Sequence, residues 1–325
     1  MGTPEFAVAA LHALVENGYN VVAVVTQPDK PVGRHGSVLQ PSAVKQYALS
    51  LGLPVLQPEK MKDPVFVEHL RSYAANLQVV VAFRMLPEVV WSMPEYGTFN
   101  VHAALLPQYR GAAPINWAII NGETRTGVTT FFLDHDIDTG RIIEQQPFDI
   151  PADADAAYVY DGLMRLGARI CLSTIEKIIG ADGHPDAVSQ DEIAYGELKP
   201  APKLFKENCQ IDWRMTARQV HDFVRGLSPY PGAWTTLTAT HDADGAAPGT
   251  SPQTLKLFRT SIPAAVDGQT PAAAPGTIVA DKKRLYIACS DGLLQIDSLQ
   301  LAGKKRMEAQ DFLNGMKDVE KYSAR

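Results

Sequence analysis

Apolar residues along the first half of the chain switch repeatedly between a helical period and a strand period, and that alternation predicts an α/β arrangement. Phe6, Ala10 and Leu14 recur on one helical face behind Thr3 as N-cap and Pro4 at the first helical position, and Gly18 ends the run. Residues 20–26 form a β-branched apolar strand, and residues 27–41 a Pro/Gly-rich loop leading to a helix over 42–51. The order then repeats. Residues 54–56 read as a short strand, 65–73 as a helix, and 77–83 (LQVVVAF) as a strand apolar enough to be buried on both faces. Residues 97–102 are strand-like and 114–120 helical, 127–133 pair with 141–150 around the turn Asp138-Thr139-Gly140, and 158–179 form a closing helix. Parallel strands joined by helices are the simplest arrangement.

The texture changes beyond residues 195–207 (YGELKPAPKLFKE), where turn-favouring residues appear without periodicity. The boundary belongs there: a catalytic domain over 1–195, a linker over 196–207 and a second domain over 208–325. In the second part a helix at 217–225 precedes short strands at 255–259, 277–279, 285–289 and 293–298, a spacing that predicts a small barrel. Only Met1 and Gly2 stand before the opening helix, whereas the first strand of a doubly wound sheet is central. The native protein is therefore expected to begin several residues upstream, with an apolar strand.

Composition adds exclusions. At 46% hydrophobic and 20% charged residues the chain is an ordinary globular sequence. No apolar run has membrane-spanning length and no signal peptide is visible, so no membrane is involved and a cytoplasmic location is expected. Cys171, Cys209 and Cys289 are far apart and outside any CxxC pair, so they read as small apolar residues. The net charge of −6 is uneven: residues 1–205 carry 15 Lys and Arg against 23 Asp and Glu, and residues 206–325 carry 15 against 13. The clusters Lys282-Lys283-Arg284 and Lys304-Lys305-Arg306 offer local positive charge to a phosphate backbone, with a solvated surface as the plainer reading.

The chemistry concentrates in residues 99–123 and in Asp138. Asn100 and His102 stand two apart on a strand, so an amide and an imidazole project from one face at the strand's C-terminal end, where α/β folds bind ligands. An irregular loop, Leu105-Leu106-Pro107 to Arg110-Gly111, follows, with backbone groups available to a ligand before Pro114 opens a helix. No GxGxxG, P-loop or Ser/Cys nucleophile motif is present, which argues against hydride transfer, ATP hydrolysis and covalent catalysis. The run Asp134-His135-Asp136-Ile137-Asp138 lacks a second histidine at ligand spacing, so no metal is expected. Trp213, Trp234 and Tyr230 are read as core rather than as a stacking surface for RNA.

These residues resemble the formyltransferase family that uses 10-formyltetrahydrofolate, whose signature is Asn-x-His, a Ser-Leu-Leu-Pro-x-x-Arg-Gly loop and a distal Asp-Thr-Gly turn. Asn100, His102, Leu105, Leu106, Pro107, Arg110, Gly111, Asp138, Thr139 and Gly140 match it, while Ala104 replaces the serine and Gln108 a common arginine. Ala104 offers no hydroxyl to the folate. Segments MGTPEFAV, TQPDKPVGR, RGAAPINWA, KENCQIDW, LSPYPGAW and LAGKKRMEAQDFL are similar to the branch that formylates methionyl initiator tRNA, and they span nearly the whole chain.

The resemblance implies a Rossmann-like catalytic domain followed by a small OB-like β-barrel that binds tRNA. It implies that Asn100, His102 and Asp138 are catalytic. The substrate's α-amino group, with a reference pKa of about 7.7 to 8.0, is the nucleophile. Asn100 and His102 can meet the oxyanion, and Asp138, which would favour an imidazolium at His102, can accept, directly or through water, the proton shed by the amine, with the carrier of each proton left open. Folate would contact Ala104, Leu105, Leu106 and Pro107 together with Phe83, Arg84 and Met85, for which plain packing is the competing reading. Initiator methionyl-tRNA would meet Arg34 and Lys30 in the early loop and Lys304, Lys305 and Arg306 in the barrel. A monomer is expected. Two alternatives stay open: a nucleotide-sugar N-formyltransferase, and an RNA-binding protein with a vestigial catalytic domain.

Overall fold

In a computed structural model the chain is described over residues 1–32, 38–193, 195–240, 252–263, 273–316 and 318–325. It divides into two compact units, one of residues 1–114, 125–149 and 160–202, the other of residues 115–124, 150–159 and 203–325.

The elements of the first half run α1 (Glu5–Glu16), β1 (Val24–Val25), β2 (Lys30–Val32), β3 (Val38–Gln40), α2 (Ala43–Ser50), β4 (Val55–Leu56), α3 (Pro64–Ser72), β5 (Gln78–Val81), α4 (Glu88–Trp91) and β6 (Thr98–His102). Then come α5 (Pro114–Ile120), β7 (Arg125–Phe132), β8 (Ile142–Asp149) and the long α6 (Ala156–Gly180). The main sheet has the order β5-β6-β7-β8 and is mixed: β5 and β6 are parallel, while β7 runs antiparallel to both β6 and β8. The connection from β7 to β8 is too short for a parallel crossover, so the chain must reverse. β1 pairs in parallel with β4 in a separate two-stranded sheet.

Several boundaries move. α1 starts one residue later than a Thr3 cap predicts, with Pro4 at the N-cap position. Of the strand read at 20–26 only Val24 and Val25 pair. Residues 27–41 hold a hairpin, β2 against β3, whose Val38 and Leu39 are 58% and 65% exposed. Lys30, Pro31 and Val38–Gln40 are all exposed, so these residues show no in-out alternation to read. Its base is anchored, because Asp29 takes Lys45 at 2.7 Å and the Gln57 amide at 2.7 Å, and these partners hold its carboxyl below the usual range. At the chain start the Gly2 N–H donates to Val25 O at 3.0 Å and the Val81 N–H donates to Met1 O at 2.9 Å. An apolar groove of about 610 Å³ opens beside these residues, lined among others by Leu14, Val21, Val22, Leu70 and Leu77.

The second unit carries α7 (Ala217–Leu227), β9 (Ala233–Ala239), β10 (Gln253–Ser261), β11 (Ile278–Ala280), β12 (Leu285–Ala288), β13 (Leu293–Leu301), β14 (Met307–Glu308), α8 (Ala309–Gly315) and β15 (Tyr322–Ala324). Its antiparallel sheet follows the order β11-β12-β13-β10-β9-β15, and a bridge between Thr277 and Ser323 draws the two edges together into a nearly closed barrel. A reciprocal capping box between Thr216 and Gln219 starts α7. Val220, Val224 and Leu227 of that helix bury against Leu255, Leu257 and Ile287. Trp213 is buried with its Nε1 donating to Thr235 Oγ1 at 3.0 Å, whereas Tyr230, read as core, is 83% exposed. All three cysteines are free and buried, and burial pushes the Cys171 and Cys289 thiols up to about 12.

Candidate active site

β6 lies between β5 and β7 and sets the first two site residues. Phe99 and Val101 are buried on one face, and period-two alternation puts Asn100 and His102 on the other. Oδ1 of Asn100 is buried and has no hydrogen-bond partner among the described residues. The His102 ring is buried, 6.3 Å edge-to-face from Phe131. Its Nε2 lies 3.0 Å from the Tyr109 carbonyl. A carbonyl only accepts, so Nε2 carries the proton and donates it there. Nδ1 is left facing Asp138 Oδ2 at 3.8 Å.

Asp138 reaches that position from the turn between β7 and β8. Its φ is 57°, in the left-handed region, and its Oδ2 accepts the Gly111 N–H at 2.9 Å. Thr139 Oγ1 donates to Asp134 Oδ1 at 2.7 Å, which closes the turn. At Gly140 a Cβ would fall 1.7 Å from Phe132 O, so only glycine lets the turn lie against β7. Asn100 and His102 thus share a strand face, and Asp138 comes beside His102.

The loop over residues 104–107 is built inward. Ala104 and Leu106 are fully buried, and Pro107 is buried behind a cis Leu106–Pro107 bond. One hydroxyl organises it: Thr129 Oγ1 donates to Ala104 O at 2.6 Å and accepts from Leu106 N at 3.1 Å and from Gln145 Nε2 at 2.9 Å. Gln145 Nε2 also donates to Leu106 O at 2.8 Å. These backbone groups are already engaged, which corrects the expectation that they await a ligand. Leu105 is half-buried and lies tight against Gly127, where a Cβ would come within 2.5 Å of it.

Beyond β5, Arg84 donates to the carbonyls of Pro58 and Glu59, and its guanidinium lies 5.7 Å from the Phe83 ring. Arg84 is therefore fastened to its own unit. Phe83 is half-buried and Met85 is 69% exposed. Met85, Leu86, Trp91 and His135, with Lys60 and Met61, line a cavity of about 470 Å³. Among the described residues no group of three His, Cys, Asp or Glu side chains converges as a metal site.

The residues read as tRNA contacts are spread over both units. Lys30 is exposed on β2, and Arg34 lies outside the described residues. Lys304 and Lys305 are exposed in the turn from β13 to β14. Arg306 is also exposed, but its Nε donates to Ser298 Oγ at 3.0 Å and its guanidinium covers the Phe258 ring at 4.5 Å.

Residues 196–202, read as part of a linker, belong to the first unit and brace the site loop. The Tyr109 N–H donates to Lys199 O and the Ala201 N–H to Arg110 O, both at 2.8 Å. Gln108 Nε2 donates to Glu197 O at 2.9 Å and its Oε1 accepts the Lys199 N–H at 2.8 Å. At Gly111, φ +128°, a Cβ would stand 2.4 Å from Ala201 O. Gln190, missed in the sequence, is buried and touches both signature segments. The only signal was a run, Ser189 to Glu192, too polar to be packed for its apolar surface.

Comparison with known proteins gives the family of the chain. Residues 1–175 match the family described as "Formyl transferase" and residues 203–317 match "Formyl transferase, C-terminal domain". The chain is 57% identical to a methionyl-tRNA formyltransferase of Parabacteroides distasonis over 99% of this chain and 96% of that protein. It is 52% identical to the one of Bacteroides fragilis over 99% and 95%. Among solved structures, an N-formyltransferase from Helicobacter canadensis in complex with folinic acid and dTDP-3-aminofucose aligns with a TM-score of 0.61 at 19% identity, covering 94% of this chain and 97% of that one. HypX from Aquifex aeolicus in complex with tetrahydrofolic acid aligns with a TM-score of 0.53 at 21% identity over 82% and 43%. At such identities these two speak to the fold alone.

Proposed function

The chain belongs to the formyltransferase family, and on that premise we infer that it transfers a formyl group from 10-formyltetrahydrofolate to the α-amino group of methionyl initiator tRNA. The observation that carries the acceptor is identity of 52% and 57% with methionyl-tRNA formyltransferases over nearly the full length of both chains, barrel included. The sugar-modifying enzymes share the fold at 19%. Charged initiator tRNA is used in the cytoplasm, so the reading puts the enzyme there.

In the reaction the amine nitrogen bonds to the formyl carbon, the bond from that carbon to the folate nitrogen breaks, and the leaving nitrogen keeps the electron pair and takes a proton. The acceptor amine loses one. The site supports these needs with three groups. The Asn100 carboxamide offers an N–H to the oxygen on the formyl carbon, a contact worth on the order of 3 kcal/mol in comparable sites, and its unpartnered Oδ1 accepts an N–H of the incoming amine. His102, anchored through Nε2, presents Nδ1 to the shed proton. Asp138, whose Oδ2 stands 3.8 Å from that Nδ1, stabilises the charge that forms on the ring.

The formyl donor fits between the 104–107 loop and the segment carrying Phe83 and Met85, with Leu105 as the partly accessible loop residue. Ala104 and Leu106 support that loop from within. Lys30 on β2 and Lys304, Lys305 and Arg306 on the barrel, together with Arg34 of the same early sequence segment, supply charge for tRNA phosphates.

The test is direct: the protein is incubated with 10-formyltetrahydrofolate and, in turn, methionyl initiator tRNA, methionyl elongator tRNA or an amino-sugar nucleotide. Formylation of the initiator is expected. Formylation of the sugar alone, or tRNA binding without turnover, overturns the reading.

A further inference from the structure

Gln190 opens a short 3₁₀ turn, Gln190–Glu192, outside every segment that identifies the site. Its carboxamide is buried and fully used. Oε1 accepts from Arg110 twice, from Nε at 3.0 Å and from Nη2 at 2.6 Å. Nε2 donates to Asp138 O at 2.9 Å and to Gly140 O at 2.8 Å. The orientation is unambiguous, since a guanidinium only donates and a carbonyl only accepts.

We propose that Gln190 is a positioning residue for formyl transfer, tying the Arg110 end of the site loop to the Asp138 turn and so fixing how far Asp138 stands from His102. The proposal rests on the reading of Asp138 and His102 as a working pair. Two observations favour it over a purely structural role. Asp138 sits at φ 57°, in the left-handed region that is less favoured for a residue with a Cβ. Gln190 supplies a hold at Asp138's own carbonyl. In addition, the residue after Arg110 is Gly111, whose N–H donates to the Asp138 carboxylate. Arg110 and Gly111 therefore grip Asp138 twice, through Gln190 at the backbone and directly at the carboxylate. Loosening Gln190 frees the backbone that aims the carboxylate while every catalytic side chain keeps its chemical identity.

Gln190→Glu keeps the acceptors for Arg110 and removes both donors to the turn. Single-turnover formyl transfer is measured for wild type, Gln190→Glu, Asp138→Asn and the double variant, with KM for both substrates and the melting temperature of each. On the wild-type background kcat should fall about tenfold or more while KM stays within about threefold, the pattern of a group that serves the transition state alone. On the Asp138→Asn background the same change should cost less than about threefold, because a residue acting through Asp138 has nothing left to position. A structural role would lower both backgrounds by the same factor and overturn the proposal, as would wild-type kcat in Gln190→Glu. Should the glutamate variant fail to fold, Gln190→Met, of similar length and without polar side-chain atoms, is carried through the same cycle. An impaired Asp138→Asn beside an unimpaired Gln190 variant defeats the positioning role alone. A wild-type rate in Asp138→Asn defeats the catalytic reading and the proposal with it.

Discussion

Nδ1 of His102 lies 3.8 Å from Oδ2 of Asp138, and that same oxygen accepts the Gly111 N–H at 2.9 Å. The carboxylate is thus aimed by a backbone donor rather than by the imidazole. Asp138→Asn preserves the shape and deletes the charge. It should lower kcat at least about 100-fold, the scale of losing one preorganised electrostatic contact, with little change in melting temperature. His102→Ala should do the same. Wild-type turnover in either variant, in a stopped assay with charged initiator tRNA, removes that residue from the mechanism.

Thr129 faces the loop from β7, and its hydroxyl takes part in three hydrogen bonds, to Ala104 O, Leu106 N and Gln145 Nε2. Thr129→Val keeps the volume and leaves those buried partners without it. Each stranded buried polar group costs roughly 1–3 kcal/mol, so the midpoint of urea unfolding should drop clearly. The loop also borders the proposed folate site, so KM for 10-formyltetrahydrofolate should rise more than KM for tRNA. Equal changes in both constants would separate Thr129 from the folate side of the site.

Legibility in the sequence followed the physics of burial. α5 appears at its predicted bounds, and Asn100 and His102 share a strand face as a spacing of two requires, because both signals come from regular elements packed against a core. The hairpin of β2 and β3 has an exposed strand, Val38–Gln40, and left no periodicity to detect. Residues 196–202 were read as linker, and Gln190 was passed over, because hydrogen bonds such as Gln108 to Glu197 and Gln190 to Asp138, not apolar contacts, hold them. β9 did alternate, with Ala233, Thr235 and Leu237 buried, but its polar inward Thr235 is satisfied by Trp213 and Arg325, partners remote in sequence. The meeting of Asp138 with His102 was suggested by motif resemblance, and no local pattern carries it.

Gly111 occupies φ +128° with Ala201 O where a Cβ would stand at 2.4 Å. Gly111→Ala must either push residues 199–202 away or rotate the backbone that donates to Asp138. Strain of this kind typically costs about 1–3 kcal/mol. The loss should appear both as a lower melting temperature and as a kcat reduction, since the Asp138 contact goes with it. An alanine variant with native stability and native kcat would show that the contact between these segments is dispensable.

His221 gives a pH dependence whose sign can be worked out. The ring is buried in the second unit with Nδ1 3.0 Å from Thr260 Oγ1. Burial is the main cause that holds its pKa below the ordinary value, and Arg218 and Arg225 push the same way against Asp222 and Asp153. Asp153 lies 3.8 Å from Nε2, but its side chain is 95% exposed, so solvent screens the pair. The unfolded chain binds the proton more readily than the folded one, so stability from this group is full above the unfolded value of about 6.5 and falls as pH drops below it. His221→Gln keeps hydrogen-bonding capacity and cannot titrate. Urea unfolding at constant ionic strength should therefore show wild type losing stability between about pH 7 and pH 5 faster than His221→Gln. Parallel curves, or a wild type that gains stability on acidification relative to the variant, would mean that the buried ring is not what the second unit protects from protons.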